Sequence, residues 1–315
     1  MDVPVLERAG WAPHSAAFYD GAADLASCAR AFLEHDGGAP ALIAAPAPSL
    51  DLLRDYLDST DGRFHWADMT TIGANPARII PAIRAFADSH HGQAVRCLIE
   101  ARWDGRSAAH RREAVRHEAL VNHAFSDLPV IIMCAYDVTL ADVSAAAELT
   151  HPALIRDGTS CPSTGYDAGS VFPAGYDEPF EPVPGDAAAL AYEDNLSAAR
   201  TFASEHARGA GVAPERIRDL IIAVGEIVAN THRHTGAGGV LSVWAAGREL
   251  ICQVRDSGHI ADPLAGLHPP ALGRAGGLGL WVVHQLCDLV EIRTAPGSTC
   301  VRLHMWLDGD TNRAG

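Results

Sequence analysis

Not one lysine occurs among the 315 residues, so all 24 basic side chains are arginines. That absence excludes a P-loop, whose lysine reaches the β- and γ-phosphates, and a protein-kinase fold with its strand-borne lysine. It also excludes Schiff-base chemistry, which needs an ε-amine. Any handling of ATP must use another scaffold. No run approaches the roughly 18 unbroken apolar residues that a membrane helix needs, and the opening "MDVPVLERAG" lacks the pattern of a signal peptide. A cytoplasmic protein with no membrane partner is therefore expected. The seven cysteines are scattered and never spaced C-x-x-C, which argues for buried thiols rather than disulfides or a zinc knuckle. Acidic residues outnumber basic ones 39 to 24, and the net charge of −15 argues against direct nucleic-acid binding, which needs clustered cations. It would suit a basic protein partner.

What is present reads as globular: 48% hydrophobic and 20% charged, over a length that suits two domains. The halves meet in "CPSTGYDAGSVFPAGYDEPFEPVPG" (161–185), whose prolines and glycines sustain neither helix nor central strand. The expected organisation is a first domain over 1–165, a linker over 166–187, a second domain over 188–308 and a frayed tail over 309–315. Before the linker, apolar runs at 40–46, 94–100 and 129–136 read as buried strands. Helical patterns lie between them, over 24–36, 75–90 and 108–125. Such alternation predicts an α/β domain with a mainly parallel sheet. After the linker, helices are expected near Ala188–Arg208 and Pro214–His232, then strands at 239–246 and 249–256. A glycine-rich segment leads into a helix at 279–288, and two strands close the chain. In the last, Val301, Leu303, Met305 and Leu307 alternate with Arg302, His304 and Trp306, the mark of a strand packed on one face. Helices on one side of an antiparallel or mixed sheet make a two-layer α/β sandwich.

The stretch "VGEIVANTHRHTG" (224–236) sits in an amphipathic pattern whose stripe is Ile217, Leu220, Ile221, Val224, Ile227 and Val228. Glu226, Asn230 and His234 fall four apart, away from that stripe. Polar residues so placed ordinarily face solvent. Three segments nearer the C-terminus change the reading. Asp256 ends a strand just before Ser257-Gly258, where a buried carboxylate could accept from an exocyclic amine. "GRAGGLGLWVV" runs glycines into a helix start, where backbone N–H groups form an anion site without lysine. Gly297-Ser298-Thr299 precedes the last strand.

This order (helix E-x-x-x-N, D-x-G, G-x-G-L before a helix, G-[ST]-T before a terminal strand) resembles the GHKL ATPase superfamily with its Bergerat nucleotide fold. Within it, "EIVANTHRH" and "GLGLWVVHQLCDLVEIRT" are most similar to the anti-sigma regulatory factor and serine kinase group. The likeness covers about Ala188–Leu307. It implies ATP and Mg²⁺ as ligands, Glu226 as the base, Asn230 as the metal ligand and Asp256 as the adenine-amino acceptor beside Gly258. It implies phosphate contacts from Gly276, Gly277, Leu278, Gly279 and Leu280, support from Thr299, and secondary contacts from His234 and Arg274. The partners implied are a sigma factor or a STAS-type anti-anti-sigma protein, and a homodimer is compatible with the group. Two other readings stand beside it. The box "DSGHI" carries Ile260 where many members have glycine, which favours a catalytically weak, nucleotide-gated sequestering module. A sensor histidine kinase lacks a recognisable phosphoacceptor helix pair here, and His206 and His284 read as packing or surface histidines.

In the first half, histidines such as His14, His65, His90, His91, His110, His117, His123 and His151 show no strong ligand spacing, so structural or surface roles are expected. Other strings resemble a MEDS-type sensory module over about residues 10–165: His14 with "AFY", "NPARIIP", "EARWDGR", "RHEALVNHAF", "CAYD" and "HP". Asn75, Arg78, Glu100, Trp103, His117, Glu118, Asn122, Tyr136 and Asp137 are the polar groups expected around any pocket. The resemblance implies an input module that answers an unidentified small molecule and gates the ATPase.

Overall fold

The computed structural model describes residues 12–35, 38–57, 62–101, 105–140, 143–156, 158–167, 179–268 and 277–307. The chain forms two compact units, residues 1–172 and 173–315.

The first unit is built on a seven-stranded sheet of β1 (His14–Tyr19), β2 (Ala41–Ala45), β3 (Phe64–Asp68), β4 (Val95–Glu100), β5 (Val130–Asp137), β6 (Ala153–Arg156) and β7 (Thr159–Pro162). Their spatial order is β3-β2-β4-β5-β1-β6-β7, parallel throughout except for β7, which returns antiparallel to β6. β2 and all but the last residue of β4 and β5 are buried, as expected of inner parallel strands covered on both faces. Among the described residues, six α-helices connect them: α1 (Ala22–Glu34), α2 (Ala47–Tyr56), α3 (Met69–Ile72), α4 (Ile79–Ser89), α5 (Ala108–Ala124) and α6 (Val143–Thr150). The helix expected over 75–90 starts as a 3-10 turn, Pro76–Arg78, because the Asn75 side chain caps it by accepting from the Ala77 N–H at 3.1 Å. Helix α5 starts at its Ser107 cap and is unusual in what it buries: His110, Glu113, Arg116, His117 and Glu118 as well as Leu120 and Val121. One sheet face packs Ala17, Ile43, Leu98 and Met133 into a core shared with Phe32 of α1.

The second unit is a two-layer sandwich. Its sheet, ordered β11-β12-β10-β9-β8, comprises β8 (Ala188–Tyr192), β9 (Gly239–Ala246), β10 (Glu249–Asp256), β11 (Leu289–Ala295) and β12 (Ser298–Trp306), with every pairing antiparallel. Among the described residues, three helices accompany it: α7 (Leu196–Ala210), α8 (Pro214–Thr235) and α9 (Leu278–Leu286). The helix expected near Ala188–Arg208 is in fact strand and helix in turn. Residues 188–192 pair with β9, and α7 begins only where the Asn195 side chain accepts from the Ala198 N–H at 2.9 Å. Helix α8 opens on Pro214 and closes at Gly236, whose φ of 66° suits a residue without Cβ. Arg216 pins its first turn by pairing with Asp219 and Asp288 and donating to the Leu286 carbonyl.

Period-two alternation sorts the sheet. Leu250, Cys252, Val254, Val301, Leu303 and Met305 are buried on one face, and Gln253, Arg302 and His304 belong to the other. On that second face Arg302 donates to Gln253 and to the Glu181 carbonyl, and its guanidinium lies over the Phe180 ring at 4.2 Å. The centre of the expected linker, the tail, Trp103, Arg274 and Gly276 lie outside the described residues.

Candidate functional site

The site in the second unit starts from α8, which presents Glu226, Asn230 and Thr231 over about 7.5 Å of helix rise. Ile217, Leu220, Val224, Ile227 and Val228 are buried, while Glu226 and Asn230 are half-buried at the margin of that stripe. They are not simply a solvated face. Gly279, in the first turn of α9, lies so close that a Cβ there would stand 2.9 Å from Glu226 Oε2 and 3.1 Å from Asn230 Nδ2. Gly277 caps α9 with φ 86°, a conformation that L side chains resist, and no side chain caps the helix. The N–H groups of that first turn, which have no partner within the helix, therefore lie beside Glu226 and Asn230. The Asn230 carbonyl oxygen accepts from the Arg233 guanidinium at 2.6 Å, so it already faces a cationic group.

One turn along, the strands complete the arrangement. Asp256 and Thr299 are register partners at the end of β10 and the start of β12. Asp256 Oδ2 accepts from the Thr231 hydroxyl at 2.6 Å, and Oδ1 accepts from the Gly258 N–H at 2.8 Å. Behind Thr231, the Tyr192 hydroxyl donates to it at 3.2 Å. Burial raises the Tyr192 hydroxyl above the ordinary tyrosine range, and the Asp256 charge adds to this against the Thr231 hydrogen bond. A Cβ on Gly258 would meet Asp256 Oδ1 at 2.9 Å and lie within 3.6 Å of Thr299 Oγ1, so the turn after β10 is packed as closely as glycine allows. Thr299 in turn contacts Thr294 at 3.1 Å, and the Thr294 hydroxyl accepts from the Ile260 N–H at 2.9 Å.

Two clusters thus form along one helix: Glu226, Asn230 and Gly279, and then Asp256, Gly258 and Thr299. His234 belongs to neither. Four residues turn a helix by about 400°, so each step drifts about 40°, and two steps carry His234 about 80° from Glu226. His234 is exposed on the last turn. Leu278 is exposed, whereas Leu280 packs against the loop at Gly266. Sequence reading missed Thr231 and Tyr192. Thr231 adjoins Asn230 where the apolar stripe meets the polar file, which is the signal that could have found it. His284 is buried, and the half-buried His206 bonds the Phe202 carbonyl within its own helix.

In the first unit, Glu100 accepts from the Tyr19 hydroxyl at 3.0 Å, and burial raises its carboxyl above the usual range. His117 lines a cavity of about 20 Å³ with Glu118, Cys134, Ile80 and Ile99. That volume holds about one water-sized group. Asn122 bonds His14, and Asp137 accepts from Thr139.

Residues 189–305 match the histidine kinase-like ATPase domain family, and residues 13–152 match the MEDS (methanogen/methylotroph, DcmR sensory) domain family. No curated protein matches the chain. Among solved structures, the RsbU and RsbW domains of Rv1364c from Mycobacterium tuberculosis align at 21% identity and TM-score 0.30, covering 40% of this chain and 33% of that one. The Acinetobacter baumannii histidine kinase AdeS aligns at 16% identity and TM-score 0.27, covering 39% of this chain and 68% of that one. The chain thus spans about a third of the first of these. Among the described residues, no helix is long and apolar enough to cross a membrane.

Proposed function

The chain joins a MEDS sensory domain to a histidine kinase-like ATPase domain, and from that premise we propose that it is a regulatory protein kinase of the anti-sigma type. Its second unit binds ATP·Mg²⁺ and transfers phosphate to a serine or threonine of a STAS-type anti-anti-sigma partner, or holds a sigma factor. Its first unit gates that activity in response to a small molecule. The observation that carries the reading is the packing of Gly279 against both Glu226 and Asn230, which sets a helix N-terminus beside a carboxylate and an amide.

Asp256 accepts from the adenine amino group, its other contacts to Thr231 and Gly258 fixing its orientation. The N–H groups of Gly277–Gly279 take phosphate oxygens. Mg²⁺ favours oxygen donors and would neutralise phosphate charge, and the Asn230 carbonyl oxygen, already turned to a guanidinium, is the donor this chain offers it. Glu226 takes the proton of the attacking hydroxyl as its oxygen bonds to the γ-phosphorus and ADP leaves. The test is Glu226→Gln. Transfer of radiolabelled γ-phosphate to a partner should be abolished while ATP binding is kept. Transfer at the normal rate would show that Glu226 is not the base.

One observation favours a second reading, a sequestering module that uses nucleotide only as a switch. The Ile260 N–H is tied to Thr294, which fixes the loop after Asp256 to β11. Nucleotide-dependent partner capture with no phosphate transfer by the wild-type chain would establish that reading over the first.

A further inference from the structure

In the first unit, four buried side chains from four separate elements converge: His14 on β1, Glu118 on α5, Cys134 on β5, and His151 in the turn between α6 and β6. One donor atom from each lies within 4.8 Å of all the others. Four of the six separations are 3.5 Å from Cys134 Sγ to His14 Nε2, 3.6 Å from Cys134 Sγ to Glu118 Oε2, 3.6 Å from His14 Nε2 to Glu118 and 3.7 Å from His151 Nε2 to Glu118. A tetrahedron of nitrogen, oxygen and sulfur ligands at about 2.0–2.3 Å from a central ion has edges about 1.63 times as long, about 3.3–3.8 Å. These four edges fall in that interval, and the two from His151 to His14 and to Cys134 are within 4.8 Å, about 1 Å of closing on it.

The surrounding hydrogen bonds fix which atoms face inward. The Asn122 amide donates to the carbonyl oxygens of Thr150 at 2.8 Å and Ala119 at 3.3 Å, so its own oxygen is the atom that meets His14 Nδ1 at 3.0 Å. An amide oxygen only accepts, which places the His14 proton on Nδ1 and the lone pair on Nε2. His151 Nδ1 faces the Ala147 carbonyl at 2.9 Å and the Thr150 hydroxyl at 3.0 Å, and that hydroxyl donates to the Ala146 carbonyl. His151 therefore also directs an Nε2 lone pair inward, and that atom has no hydrogen-bond partner. Two lone pairs, a carboxylate oxygen and one thiol meet with a single weak proton donor among them. Arrangements in which the outer imidazole nitrogen donates to a carbonyl are those that orient metal-binding histidines.

We propose that His14, Glu118, Cys134 and His151 bind one divalent transition-metal ion of borderline softness, Zn²⁺ foremost. Two imidazoles, a thiolate and a carboxylate suit such an ion and not Mg²⁺ or Ca²⁺, which select oxygen donors. Cys134 coordinates as the thiolate, its proton leaving to solvent, so two neutral imidazoles, two anions and the dication sum to zero charge in a buried place. Four protein ligands and no solvent-facing position make the site a closed, structural one. It ties β1, β5, α5 and the α6–β6 turn together. Asn122 is a positioning residue that holds His14 in the binding tautomer.

The full chain, stripped with a chelator and titrated with Co²⁺ alone, tests this. One equivalent per chain should give a thiolate-to-cobalt charge-transfer band and the visible bands of a four-coordinate ion. Zn²⁺ should bleach both and raise the melting temperature by about 5–10 °C. Cys134→Ser should lose the charge-transfer band, and Asn122→Ala should weaken binding about 10–100-fold while keeping the tetrahedral spectrum. A stripped wild-type chain that gives no such spectrum overturns the proposal, whether or not the variants fold. A charge-transfer band that survives in a folded Cys134→Ser chain overturns it too, since a thiol elsewhere would then be the ligand.

Discussion

The substitution Gly279→Ala separates the nucleotide reading from mere packing. An alanine Cβ at 279 would stand 2.9 Å from Glu226 Oε2 and 3.1 Å from Asn230 Nδ2, where ordinary contact begins at 3.4 Å. The carboxylate must therefore retreat by about 0.5 Å, a shift that its half-buried, flexible side chain makes at little cost. Replacing a helical glycine stabilises by up to about 1 kcal/mol, less in a first turn. The two effects nearly cancel, so the melting temperature should move by less than about 5 °C. Function should respond very differently. A site held to about 0.5 Å loses its geometry when both side chains are pushed aside. Affinity for ATP·Mg²⁺ should fall about tenfold, or about 1.4 kcal/mol, and phosphate transfer about 10–100-fold. Calorimetric titration with ATP·Mg²⁺, run beside thermal melting, reads both. The reasoning is refuted if affinity and transfer stay within twofold of wild type. It is equally refuted if the variant melts more than about 10 °C lower, because then Gly279 serves the fold.

Thr231→Val keeps the shape of a buried side chain but leaves the Asp256 and Tyr192 oxygens without their shared partner. It should cost about 1–3 kcal/mol in denaturant unfolding and weaken adenine-nucleotide binding, while Thr231→Ser restores both; equal losses in Val and Ser variants would contradict this. His304 bonds Glu249 at 2.7 Å and Glu291 at 3.1 Å; burial opposes its charge, but the two carboxylates outweigh burial and raise its pKa. A raised histidine stabilises fully below its unfolded value of about 6.5 and loses that contribution as pH climbs through the folded value. The wild-type melting advantage over His304→Gln should therefore shrink from pH 6 to pH 9, and an advantage that grew with pH would reverse the argument.

The second unit was the more legible half, because its chemistry is concentrated in short ordered strings. The spans of β9 and β10 match the expected 239–246 and 249–256 residue for residue, since Gly247, at φ 59°, punctuates two apolar runs. Strand β8 was not legible: "AALAY" favours a helix by composition, and only pairing along β9 makes it a strand. The neighbourhood of Glu226, Asn230 and Gly279 followed from motif order, but the hydroxyl of Thr231 that orients Asp256 depends on how α8 rotates against the sheet. In the first unit the His14, Glu118, Cys134 and His151 cluster has no sequence signature. Cys134 lies 16 residues from Glu118 and 120 from His14, and only the central placing of β1 beside β5 brings them together. Histidine spacing alone pointed the other way.

The stacking of Arg302 and Arg293 on Phe180 bears on where the second unit begins as a folding body. The matched family starts at residue 189, yet Phe180 to Val183 line a cavity of about 350 Å³ against Gln253, Arg255 and Cys300. A fragment cut at the family boundary would take Phe180 from over both guanidinium groups and the Glu181 carbonyl from Arg302, which keeps Trp244 at 5.3 Å. The smallest autonomous form of this ATPase-like unit therefore carries a short proline-flanked strap ahead of its first strand, and boundaries drawn from homology alone would amputate it.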